Sequence, residues 1–184
     1  MLNPFEAIKE IIKNFADNEP KPPLHVGEVM DLWTLYTAFH EAHSLYYIAI
    51  NMTSDTELLH TIRSSIEGSR ADTKMIEDFL LKEGVPLPLT NAEKPLSNPD
   101  SVPEGVKLTD DEIANLISVK LAASITFCAQ AMSKTVRTDV GLMFFTLQVH
   151  LMEIASPLKN LMKERGWMRI PPGYMPPGTP ERNK

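Results

Sequence analysis

Five histidines in a 184-residue chain are few enough to ask of each what chemistry its neighbours permit. His43 falls in an apolar repeat, and His150 and Glu153 stand three residues apart, on one face of any helix that contains them. Two imidazoles and a carboxylate can hold zinc or iron with a coordination position left open, so His43, His150 and Glu153 form a candidate site for a single metal ion. The competing reading makes His43 a hydrogen-bonded core histidine and leaves Glu153 in water. A symmetric di-iron site needs a carboxylate from each of two helices and Glu-x-x-His from each of two others. Here the only Glu-x-x-His is Glu57 with His60, and no acidic residue occurs between Ile113 and Arg137. His40 and His43 share a helical face, whereas Glu41 points away from both. Trp33, Tyr36, Tyr46 and Tyr47 are spaced to line a ligand pocket, although aromatic residues at helical spacing more often fill a core. Cys128, the sole cysteine, sits in an apolar run and reads as a small buried hydrophobe. No phosphate-binding glycine loop, nucleophile elbow or Cys-x-x-Cys occurs, so no catalytic residue is assigned.

These candidates are useful only if helices bring them together, and the pattern of the chain is helical throughout. Asn3, Pro4 and Glu6 start a short amphipathic helix over 4–16. Val29, Leu32, Tyr36, Phe39, His43, Tyr46 and Ile50 recur at steps of three and four, predicting a long helix over 27–52. Ser54 and Glu57 have capping-box spacing ahead of a helix over 55–83, which Gly84 ends. A second box, Thr109 with Glu112, opens a helix over 110–136. Thr138 and Asp139 offer a cap for a helix over 139–165 that stops at Gly166 and contains Pro157.

The two hairpins close alike, FLLKEG before Val85 and NLMKERG before Trp167, at an offset of 82 residues. Between them residues 84–108 hold five of the fifteen prolines, far more chain than the roughly 2–8 residues that join neighbouring antiparallel helices. Extended at about 3.1 Å per residue, such a segment spans a helix of about 30 residues rising 1.5 Å each. The expected fold is therefore all-α: one domain over 1–184, a ferritin-like four-helix bundle of two hairpins joined by a proline-rich crossover, with an extra N-terminal helix and a proline-rich tail over 166–184.

Net charge −6 and a pI near 5.4 argue against a general nucleic-acid binder. Residues 140–158 are very apolar, but Gln148, His150, Glu153 and Pro157 interrupt them, so a buried helix is expected in place of a membrane span. Acids and lysines interrupt the first fifteen residues, which argues against a signal peptide and for a cytoplasmic, reducing location. The helices over 110–136 and 139–165 are too apolar to be buried on one side only, so the N-terminal helix is expected to cover one face or a second copy of the chain another, the latter giving a homo-oligomer formed through them.

Several segments carry a family resemblance: Gly27-Glu28 with Leu32-Trp33, LLKEGVPLP at 80–88, LTDDEI at 108–113, Arg137 with Asp139 and Phe144, and LMKERGWMRIPPGY at 161–174. The sequence resembles the spore coat protein F-like proteins of spore-forming Gram-positive bacteria, in particular a related ferritin-like family of unknown function. That resemblance implies a helical bundle in the mother cell or developing spore, packing or assembling with itself and other spore proteins, and it supplies no catalytic residues.

Overall fold

The computed structural model describes residues 3–15, 20–174 and 176–177, and the described part is helical without strands. Its helices are α1 Pro4–Phe15, α2 Val26–Ile50, α3 Thr56–Lys82, α4 Asp110–Met132 and α5 Thr138–Glu164. Residue 16 of the expected first helix and residues 175 and 178–184 of the expected tail lie outside the described residues.

α2 packs on α3 and α4 on α5, while α3 with α5 and α2 with α4 close the other two sides of a four-helix bundle; α1 lies against α5. Leu32, Leu35 and Phe39 of α2, Leu58, Ile62, Ile76 and Leu80 of α3, Ile113 and Ile117 of α4, and Phe144, Leu147 and Leu158 of α5 fill one shared core. Each of these side chains contributes roughly 1.5–3 kcal/mol by leaving water.

The segment between α3 and α4 runs the length of α2, as the proline content requires. Pro86 accepts from the Trp33 indole near the start of α2 at 3.2 Å, Asn91 reaches Glu41, and Glu93 accepts from Tyr47 at 3.0 Å. Asn51, just past the end of α2, then holds both the Pro95 carbonyl and the Ser97 amide. A 3-10 turn, Pro99–Ser101, interrupts the extended run. Thr53 next donates to Asp110, so α4 begins beside the end of α2. α4 thus runs parallel to α3, and α5 parallel to α2, which is ferritin-like connectivity.

Polar latches fix both ends of the bundle. At one end Arg137, 5% exposed, forks onto Glu83 at 2.7 and 3.0 Å and onto Asp139 at 3.0 and 2.7 Å, with its guanidinium 5.4 Å from the Phe79 ring centre. Glu28, also buried, accepts from the backbone N–H groups of His25, Val136 and Arg137. Burial pushes its carboxyl up, but those three donors outweigh burial and hold it below the usual range. At the other end Arg165 pairs with Asp55 and Glu57.

The helix boundaries differ from expectation where a polar side chain found another partner. α2 starts at Val26 because the His25 imidazole acts as the cap, accepting from Gly27 and Glu28 N–H, while Glu28 reaches back to His25. Asp55, and not Ser54, caps α3, and Glu57 is drawn to Arg165. α4 ends at Met132, four residues short of expectation, since the Val136 and Arg137 amides turn to Glu28. Arg137 occupies the cap position of α5 with no side-chain cap; Asp139 accepts from the Val140 amide and Thr138 takes a bond from Lys21. The Thr109–Glu112 box forms as expected.

Both hairpins end in the same motif. Gly84 and Gly166 have φ of 76° and 70°, and the residue after each donates back to Leu80 and Met162 respectively at 2.9 Å. The offset of 82 therefore holds at the helix ends. At the starts the caps are His25 and Thr109, an offset of 84.

Candidate functional site

The sequence-predicted metal trio is not assembled. His43 is buried on α2, and its Nε2 lies 2.7 Å from Ser69 Oγ on α3. Burial, with the nearby His40 and Arg70 charges, pushes its pKa down and keeps the ring neutral. His43 lines a cavity of about 250 Å³ beneath the crossover, where His40, Tyr47, Arg70 and Glu93 also lie. His150 and Glu153 face a different groove, between α3 and α5. α3 explains the separation, since Ser69 holds one histidine and Asp72 the other. Among the described residues no three His, Cys, Asp or Glu side chains are grouped to hold a metal ion. The aromatic residues do not form one pocket either: Tyr46 is core, Tyr36 donates to Glu77, and Trp33 and Tyr47 bind the crossover.

The α3–α5 groove has a volume of about 470 Å³, in the range of small-molecule sites. At one end the His150 ring, 43% exposed, places Nδ1 2.7 Å from Oδ1 of Asp72, a carboxylate with no exposed surface. The other oxygen, Oδ2, is buried with no hydrogen-bond partner. Burial raises the Asp72 pKa; His150 opposes that rise and the charge of Glu153 adds to it. Beneath the pair, burial and then the Asp72 charge push the Cys128 thiol up to about 12, so Cys128 is an inert core residue.

With Asp72 ionised, the Nδ1–H proton is pinned toward it and Nε2 presents a lone pair to the groove, the arrangement by which carboxylates orient an imidazole. Asp72 was missed in the sequence because one aspartate in a polar helix has no distinguishing pattern. The only available signal was its place on the Ile62, Ile66, Ser69, Thr73, Ile76 face, where a charge is out of keeping with burial.

The second feature is a surface. On α4, Leu116, Val119, Ala122, Ala123, Thr126 and Gln130 follow one another on an exposed, uncharged stripe. Val119 is 69% exposed and Leu116 46%; Met152 of α5 adds 47% across a groove of about 490 Å³ between the two helices. α4 and α5 are both long and apolar enough to cross a membrane by length and composition, and only 28% of each apolar window is buried within the bundle.

Comparison with known proteins agrees with this architecture. A model of the family described as protein of unknown function DUF3231 matches residues 13–179, and the chain belongs to that family. It is 30% identical over 162 residues to the uncharacterized protein YvdQ of Bacillus subtilis, covering 87% of this chain and 94% of that one. Among solved structures it resembles a putative spore coat protein from Bacillus halodurans C-125, with a TM-score of 0.81 and 30% identity over 84% of this chain and 98% of that chain. A fragment of a DUF305 protein from Deinococcus radiodurans matches 78% of this chain and 99% of its own with a TM-score of 0.62; at 11% identity it shows a shared fold alone.

Proposed function

We propose that this chain is a non-enzymatic assembly protein of the bacterial spore, whose copies meet through the outer face of α4 and α5. The observation that carries the reading is the uncharged stripe from Leu116 to Gln130 on α4, in which Val119 is two-thirds exposed. Depletion of charge and exposure of contiguous apolar surface mark protein contacts. A second copy is the partner chosen, because the stripe from Leu116 to Gln130 has no charge of either sign and only Lys159 enters the groove beside it, so the stripe neither repels itself nor selects an oppositely charged partner, and like faces close around a two-fold axis. Ala122 and Ala123 leave room for two helices to approach closely.

The spore setting rests on the likeness to the Bacillus halodurans protein named for the spore coat. The proposed location is the mother-cell cytoplasm or the developing spore. Light scattering across a concentration series tests the assembly: the wild type gives a dimer or larger mass, and Val119→Glu shifts it toward the monomer. A wild type that stays monomeric at high concentration overturns the reading. A tagged copy made during sporulation of Bacillus subtilis should gather at the developing spore, and an even distribution at all stages would refute the spore assignment.

A further inference from the structure

The groove between α3 and α5 carries two carboxylates, and among the described residues the His150 imidazole on Asp72 is the only basic group bonded to either. Asp72 is sealed at its floor with Oδ2 unpartnered, and Glu153 lines the rim without a hydrogen bond or ion pair among the described residues. No lysine or arginine lines the groove. His150 Nδ1 is committed to Asp72, so its exposed Nε2 is an acceptor when the ring is neutral.

The rest of the groove is a trough. Thr61, Ser64, Ser65, Gly68 and Ala71 succeed one another on one side of α3, all small, opposite Ile154 and Pro157 of α5. A Cβ on Gly68 would stand 3.2 Å from Ile154 Cδ1, tighter than ordinary contact, so any larger residue there narrows the trough. From Thr61 to Asp72 the helix rises about 16 Å, which sets the length of chain the trough accommodates.

We propose that this groove binds a small aliphatic amine, its ammonium between His150 Nε2 and Glu153 above the Asp72 charge, its hydrocarbon chain along the small side chains of α3. An ammonium supplies several N–H donors and the missing positive charge together. A carboxylate ligand meets two like charges at the same place. A divalent metal finds no three His, Cys, Asp or Glu side chains grouped to hold it among the described residues, short of the three protein ligands an open zinc site employs. The inference is independent of self-association, since the trough lies between α3 and α5 and the stripe on α4.

Titration of the full-length protein with hexylamine, hexanoate and zinc chloride, followed by calorimetry and by the His150 ring resonances, tests it. Saturable hexylamine binding that moves His150 is expected, with no saturation by hexanoate. Glu153→Gln, on the exposed rim where folding is not at stake, should weaken hexylamine about tenfold, as should His150→Gln. The proposal is overturned by hexanoate binding as well as hexylamine, by amine affinity unchanged in both variants, by no saturable amine binding, or by zinc alone moving the His150 resonances.

Discussion

Asp72 is a carboxylate placed where a carboxylate costs stability. It has no exposed surface and one oxygen without a partner, and burial raises its pKa above 3.8. A raised carboxyl pKa means the folded state holds the proton more tightly than the unfolded chain, so ionisation costs stability once the pH exceeds 3.8. Asn at this position keeps an oxygen for His150 and does not ionise. The melting temperature of Asp72→Asn relative to wild type should therefore climb as the pH is raised through and above that range. Near neutrality the variant should melt above the wild type, since the buried charge is then absent from it alone. Thermal scans from acid to neutral pH measure the difference, and one that is flat or falls with pH would show that Asp72 is adequately compensated. A destabilising residue at a concave site is what a binding role predicts. The sequence drew attention to His150 and Glu153, and the structure places both in this groove. It could not reveal that His43 answers to Ser69 instead, because the choice between Ser69 and Asp72 depends on the side from which each neighbouring helix approaches α3.

At the scale of elements, what was legible was whatever the backbone demands locally. Gly84 and Gly166 end their helices with positive φ because only glycine takes that conformation freely, and the Thr109–Glu112 box forms because its donors and acceptors lie within four residues. What was not legible was governed by distant partners. Glu28 shortens α4 by capturing amides more than a hundred residues away, and Arg165 takes Glu57 from the expected box on α3. Because both glycines serve the same motif, Gly84→Ala and Gly166→Ala should each cost roughly 1 kcal/mol, about 2–4 °C in melting temperature. Neither position crowds a Cβ, so the loss is one of backbone strain alone. Melting curves that leave either variant at the wild-type temperature would deny the equivalence of the two hairpin ends.

For the whole molecule, the proline-rich crossover decides which helices run parallel and hence which surfaces remain open. It lies along α2, pinned at Trp33, Tyr47 and Asn51, and covers the side of the bundle that α2 and α3 would otherwise expose. Among the described residues the second hairpin is covered less completely, by α1 on α5 and by Trp167 to Arg169 near the start of α4. α1 rests on α5 but leaves its own Phe5 80% exposed, so it does not complete the apolar surface either. The uneven clothing of two similarly built halves is the structural basis for placing assembly on α4 and α5.

Cross-linking through an introduced thiol tests that placement most directly. The native Cys128 is buried and its thiol is held protonated, so it does not compete. Under mild oxidation Val119→Cys should join copies into a covalent dimer rapidly and in high yield, while Leu81→Cys, equally apolar and exposed on α3, should remain largely monomeric. Equal yields from the two positions, or no dimer from Val119→Cys, would contradict assembly through the outer face of the second hairpin.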